Sequence, residues 1–340
     1  MRPNRLQRVV AVLILALALP ALCGCGGDSI AGPAADSEQV TDYQDKLGIG
    51  PSAVIPPPPP KPKAMGVATI RGVFRLRAGE AIPQQPNVFS LIQKDQSVCA
   101  PGGGPVYHKS IVVDPQSRGI ANVVIYLRNL DDYEWAEGVE PPPEAVPLPD
   151  DLDRTNPENV VEYDQEKCIF LSHVDAFRVG KWMRILNSDT VGHNTNCGAI
   201  GLNQSISPKE GDKKGELYFK LPKKPTNGPK EVTCSIHPWM QAWLMTSNDG
   251  YFAVTKADGS FELKNLPAGK GIRLSVQVWH ESAANLNQVL EVDGPTSHPK
   301  LDWKKQYKGQ FFIELEPGED VPPLEVDVPA DAFNIRQRAG

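Results

Sequence analysis

Met183-Arg-Ile-Leu-Asn-Ser-Asp-Thr-Val-Gly-His-Asn194 and, with its cysteine 41 residues after that histidine, Val232-Thr-Cys-Ser-Ile-His-Pro-Trp-Met240 are the two most informative stretches of this chain. Each begins as a short apolar step of strand character. Each ends in a loop of groups able to bind a metal. Strand-like segments recur on both sides. Val67-Ala-Thr-Ile-Arg-Gly-Val-Phe-Arg-Leu76 places apolar residues at alternate positions, and residues 119–127 form a β-branched run. Residues 168–171, 182–186, 216–221, 272–279, 311–315 and 324–328 continue the pattern, and Tyr251 to Lys264 reads as strand, Asp258-Gly259 turn and strand, with hairpin chemistry. Turn signals such as Val179-Gly180, Gly211-Asp212 and Asn227-Gly228 separate the segments. No amphipathic helix of 12 or more residues stands out. The expectation is an all-β chain, built as a sandwich or barrel.

Composition agrees. The 340 residues include 33 Pro and 29 Gly. Proline usage is about twice the ordinary level, which argues against long helices. A hydrophobic content of 40% is too high for a disordered chain, and a net charge of −6 gives no footing for nucleic-acid binding. No Ser-His-Asp order, phosphate loop or G-x-G-x-x-G stands out, and no acidic pair sits in a recognisable catalytic context. A carrier or binding protein is expected rather than an enzyme.

The second stretch puts Cys234, His237 and Met240 at spacings of three and three within one tight turn. His193 adds a second imidazole from a distant strand end. A trigonal His₂Cys set with a weak, long axial Met is the blue-copper arrangement. The thiolate gives a covalent conducting path, two imidazoles stabilise Cu(II), and the thioether stabilises Cu(I). A lone Cys-x-x-His-x-x-Met is weak evidence, because a buried Cys with a core His and Met gives the same pattern. The upstream His193-Asn194 sharpens it. Zinc fits less well, since Met is a poor zinc ligand and no fourth hard ligand is evident. With no Cys-x-x-Cys-His, attached haem is excluded.

The pattern Asn187-x-Asp189-x-x-x-His193-Asn194 followed by Cys234-x-x-His237-x-x-Met240 resembles the cupredoxin family, and its short Cys-x-x-His-Pro-aromatic-Met loop is amicyanin-like. That resemblance implies a Greek-key β-sandwich with one type 1 copper on His193, Cys234, His237 and Met240. It further implies that Asn194 donates a hydrogen bond tying the His193 loop to the Cys234 loop. Pro238 and Trp239 would surround an exposed edge of His237, the family's electron port. Residues 251–279 resemble the carboxypeptidase regulatory-like (transthyretin-like) β-sandwich, a module without catalysis of its own. The succession of the two resembles methylamine-utilisation-like envelope proteins. The implied function is carriage of single electrons by Cu(II)/Cu(I) cycling between a redox donor and an acceptor. The alternative is an envelope binding or scaffold β-sandwich protein whose metal site is vestigial or structural.

Arg2, Arg5 and Arg8 precede an apolar run from Val9 to Leu22, which is short for a membrane span and ordered like a secretory signal peptide. Leu22-Cys23-Gly24-Cys25 resembles a bacterial lipobox. Residues 1–24 are then a lipoprotein signal and Cys25 the lipidated residue, with a plain cleaved signal peptide as the other reading. Both place the protein in the cell envelope, and lipid would be its only membrane attachment. Residues 25–64, with prolines 56–60 and Pro62, are expected to be a disordered Pro-rich tether. The expected domains are a cupredoxin-like unit over 65–246 and a regulatory-like sandwich over 247–340, with a boundary open by ten residues or more and with residues 67–127 able to pair with either sheet. Residues 131–166 carry thirteen acids against one base, Arg154, and six prolines. They read as an exposed acidic insertion, either a solvated loop or a docking patch for a basic partner.

The remaining cysteines are Cys99, Cys168 and Cys197. An oxidising compartment favours a disulfide, with Cys99–Cys168 the preferred pair. Cys197 is left as an extra soft ligand, an oxidation hazard or a buried inert thiol. His173 reads as a core or capping residue, and His108, His280 and His298 have no partner at ligand spacing.

Overall fold

Period-two alternation becomes strand wherever the sequence carries it clearly. The computed structural model describes residues 37–47, 59–128, 133–283, 289–295 and 298–335. Gly66–Leu76, Trp182–Asn187, Gly215–Lys220, Arg273–Trp279, Gln310–Glu314 and Leu324–Val328 are all strands, and the described chain is all-β apart from short helices. None of these helices is long and apolar enough to cross a membrane.

Residues before Lys61 form a unit of their own. It holds a helix, Ser37–Lys46, inside the stretch expected to be tether. That segment lacks Gly and Pro, and its acidic Glu38 and basic Lys46 complement the helix dipole. Lys46 also donates to Asp42 one turn earlier, at 2.7 Å. Residues 1–24, Cys25 and residues 48–58 lie outside the described residues.

From Lys61 onward the strands build two sandwiches. In one, a five-stranded sheet runs in the order Leu202–Ile206, His193–Cys197, Lys230–Thr233, Gln241–Ser247, Val174–Arg178. It faces a four-stranded sheet of Gly215–Lys220, Trp182–Asn187, Val160–Glu166 and Ile169–Phe170. Tyr163, Phe170, Met183, Ile185, Val232 and Leu244 fill the space between them. In the other, the five strands Phe252–Val254, Val124–Leu127, Arg273–Trp279, Gln310–Glu314 and Asp302–Trp303 face the three strands Ser260–Ala268, Gly66–Leu76 and Leu324–Val328. Phe74, Ile125, Phe261, Val276 and Phe311 belong to that core.

The strand pairing differs from the expected division at residues 246 and 247. Gly66–Leu76 pairs with Ser260–Ala268 and Leu324–Val328, and Val124–Leu127 pairs with Arg273–Trp279. Gly66–Leu76 and Val124–Leu127 therefore belong to the second sandwich, and the His193 sandwich is inserted between them and their partners. Alternation names a strand's inner face but not its partner, so the sequence could not distinguish these pairings. The Asp258-Gly259 turn likewise does not close a hairpin. Phe252–Val254 pairs with Val124–Leu127 while Ser260–Ala268 pairs in the facing sheet, so this turn carries the chain from one sheet to the other. Gly259 is required there: its φ is +79°, and a Cβ would meet the Phe74 carbonyl oxygen at 2.1 Å.

The acidic stretch is also more ordered than an insertion. Val160–Glu166 is a strand parallel to Trp182–Asn187, and Glu134–Trp135 pairs with Lys63–Ala64. Its proline-rich part is pinned: the Arg178 guanidinium donates to the carbonyls of Pro143 and Val146, and Asn265 donates to Glu144. Glu137, Glu140, Asp150, Asp151, Asp153 and Glu158 reach the surface.

Gln241–Ser247 is buried on both faces. Ala242 and Leu244 enter the core of their own sandwich, whereas Trp243 and Met245 pack with Val174, Val124 and Trp279 where the sandwiches meet. Trp243 and Trp279 lie edge to face at 5.1 Å. Beside them Glu281 accepts the Trp243 indole N–H at 2.6 Å and pairs with His173. His108 stands edge-on to His173 at 5.3 Å. His108, His173 and His280 thus gather around one buried carboxylate, whereas His298 lies elsewhere, with its Nε2 2.9 Å from the Pro322 carbonyl. Burial pulls His280 down to about 4, with Glu281 opposing and His173 adding to the shift. His280 is neutral when folded and accepts the Ser282 N–H at Nδ1. A folded pKa below the unfolded value of 6.5 means stability is full above pH 6.5 and falls as the pH drops toward 4, by on the order of 3 kcal/mol. Chemical denaturation between these limits should show that loss, and His280→Gln should flatten it.

Candidate metal centre

The centre forms where the His193 strand lies against the strand leading into Cys234. Thr233 pairs with Asn196 across that seam, and Thr233 pairs with Gln241 on its other side. The Cys234–Met240 loop therefore leaves and re-enters one sheet. Its tip is a tight turn in which Met240 N–H donates to the His237 carbonyl at 2.9 Å, with Pro238 at the position whose φ proline presets. Cys234 N–H to the Met240 carbonyl, at 3.4 Å, closes the base. On the other side Asn187 holds the loop before His193. Its side-chain amide donates to the carbonyls of Val191 and Ser207, and its oxygen accepts from Asp189 N–H.

Cys234, His193 and His237 converge in the interior. One donor atom from each lies within 4.8 Å of the others, and both histidines are wholly buried. Nδ1 of His193 and Nδ1 of His237 are 3.0 Å apart, and Cys234 Sγ is 4.0 Å from the latter. Each Nε2 points outward to a carboxylate: His193 to Asp189 at 2.7 Å and His237 to Asp95 at 2.9 Å. A carboxylate only accepts, so each Nε2 carries its proton and each ring turns its Nδ1 inward. Two lone pairs at 3.0 Å repel unless a proton or a cation lies between them. Paired carboxylate–imidazole contacts behind inward-facing nitrogens are the usual outer support of metal-binding histidines.

The sulfur is prepared as well. Burial alone pushes the Cys234 thiol up, but hydrogen bonds with His193 and His237 and from the backbone N–H groups of Asn194 and His237 overturn this, and it falls to about 5. Asn194 N–H donates to Sγ at 3.2 Å. At His193 the burial penalty is outweighed by the Asp189 and Cys234 bonds, so its pKa is raised. Asp189 is lowered: burial opposes this, but His193 and the N–H groups of Cys168 and Lys167 stabilise the carboxylate. Thiolate, two imidazoles and a buried thioether form a donor set that suits copper.

Of the residues singled out in sequence, His193, Cys234 and His237 meet directly. Met240 is buried at the end of the same loop. Asn194 does tie the two loops, but its side chain accepts rather than donates: Ser235 N–H and Oγ–H reach its Oδ1 at 3.3 and 3.0 Å, and the donated bond comes from its backbone. The Trp239 ring lies beside His237 at 5.1 Å, while Pro238 is exposed. The expected open edge of His237 is closed, because Asp95 covers it. Cys99 and Cys168 are joined in a disulfide with Cα atoms 4.9 Å apart, and their sulfurs lie within 4.8 Å of a His237 nitrogen. Both sulfurs are spent in that bond. Cys197 is buried at the end of its strand, burial pushes its thiol up, and it joins no ligand group among the described residues. Sequence reasoning missed Asp95 and the role of Asp189. Asp189 stands four residues before His193, a usable signal, whereas Asp95 is 142 residues from His237 and gives none.

No family model matches the chain, and no curated protein matches it in sequence. Among solved structures it is similar to amicyanins. These include the reduced Cu(I) form, at pH 4, of a proline-to-glycine mutant of amicyanin (18% identity over 26% of this chain and 82% of that one, TM-score 0.22). Amicyanin from Paracoccus versutus is another (16% identity, 28% and 86%, TM-score 0.21). The chemistry of the centre rests on its own geometry. In the metal-free chain the ultraviolet absorbance of one thiolate should titrate with a midpoint of about 5. Cys234→Ser should abolish this step and Cys197→Ser should leave it.

Proposed function

We propose that this protein is a cupredoxin-like electron carrier with one type 1 copper held by His193, Cys234, His237 and Met240. The observation that carries the proposal is the pair of inward Nδ1 atoms 3.0 Å apart beside the buried Cys234 sulfur, which is 4.0 Å from the Nδ1 of His237. Copper bound there supplies reversible one-electron Cu(II)/Cu(I) cycling. The chain's own residues do the rest. Asp189 and Asp95 hold the imidazoles by their outer nitrogens, so the donor atoms move little between oxidation states. The Asn194 N–H steadies the charge on Cys234 sulfur. Burial keeps water from the site, and four protein donors leave no place for a substrate, which suits a carrier better than a catalyst.

The placement of the carrier belongs to the same proposal. Lipid on Cys25 and the residues up to 60 would tether it in the cell envelope. The exposed acids of residues 137–158 would steer a basic redox partner. The second sandwich would serve as a regulatory-like module without chemistry of its own.

Copper loading of the soluble fragment from residue 61 should produce an intense thiolate-to-copper visible band. No band in the parent fragment, or a band surviving Cys234→Ser, would rule the function out. Asp189→Ala should keep a band while weakening metal binding by roughly 10- to 100-fold, as measured by chelator competition.

A further inference from the structure

The two carboxylates behind the histidines come from remote parts of the chain, yet one covalent bond joins their supports. Asp95 begins the four-residue helix Gln96–Cys99, and its carbonyl accepts the N–H groups of Val98 and Cys99 at 2.9 Å. A single helical turn does not hold itself in place. Cys99 anchors this one to Cys168. On the other side Lys167 and Cys168 have φ of +52° and +54°, a backbone that side chains disfavour. In that conformation both N–H groups reach the Asp189 carboxylate, at 2.7 and 2.8 Å. Asp189 in turn accepts from His193, and Asp95 from His237.

We infer that the Cys99–Cys168 disulfide is a brace that positions both histidines from outside the centre and seals the edge of His237. One sulfur fixes the turn that carries Asp95 onto His237. The other fixes the turn whose N–H groups clamp Asp189 against His193. The helix and the disulfide lie over the imidazole that the cupredoxin resemblance expects at the surface, so the brace also decides what reaches it. Asp95, Cys99 and Cys168 are positioning residues and touch no metal. Their effect on a bound copper rests on the proposed function. Their effect on access to the centre does not.

The test separates the two. In the full, metal-free chain, alkylation of Cys234 by iodoacetamide is followed by peptide mass spectrometry, which resolves it from Cys197. The parent should react slowly, because Cys234 is 2% exposed. Cys99→Ala with Cys168→Ala should react about tenfold faster or more, since the centre then opens by local unfolding. Asp95→Gly suits the left-handed backbone, spares the disulfide and should also accelerate. Asp95→Asn keeps an acceptor oxygen and tolerates that backbone, so it should stay near the parent rate. Copper-loaded samples of the same variants should show a displaced visible band and a changed reduction potential. Parent-like alkylation in both the double variant and Asp95→Gly overturns the brace. Should the double variant unfold, Asp95→Gly decides. A chain that takes no copper overturns the proposed function, while the alkylation rates still decide the brace.

Discussion

Two imidazole nitrogens held 3.0 Å apart inside a closed core are the constraint around which the His193 sandwich is arranged. At that distance the contact needs a proton or a cation between the two nitrogens. It persists because the rings are gripped from behind by carboxylates and from the side by Trp239. Each support needs one of its own. Asp189 draws on the backbone of Lys167 and Cys168, Asp95 on a helical turn, and both turns meet at the disulfide.

The second sandwich contributes at a distance. Trp243 lies on the strand that follows Met240, and its outer face packs on Trp279 and bonds Glu281. The strand that follows the Cys234–Met240 loop is therefore buried on both sides. Covering a sheet on both faces hides its alternation, and Ala242 to Thr246 is accordingly an unbroken buried run. The same contact gathers His108, His173 and His280 around one carboxylate. These groups serve the junction between the sandwiches rather than the Cys234–Met240 loop.

Much of this was legible from residues alone. The strands at Gly66–Leu76, Trp182–Asn187 and Leu324–Val328 follow from alternation. The ligand candidates follow from residue types at short spacing, because a turn of three residues brings Cys234 and His237 together in any fold. What was not legible shares one cause. Asp95 on His237, the outward closure of that ring and the assignment of Gly66–Leu76 to the second sandwich all join residues far apart in sequence. No local pattern marks such pairs. The helix at Ser37–Lys46 is a different miss: the proline-rich stretch that follows it outweighed a short segment without Gly or Pro, of only middling helix propensity.

The sequence by itself determined the all-β class, the turn at Pro238 and the chemical identity of the donors, since these depend on neighbours within a few positions. Only the tertiary structure decided which sheet each strand joins, which nitrogen of each histidine faces inward, and whether His237 meets solvent. Those outcomes join residues far apart in sequence, as do the Cys99–Cys168 bond, 69 residues apart, and the carboxylates of Asp95 and Asp189 on the two rings. Their cost in chain entropy is met only when the whole sandwich closes.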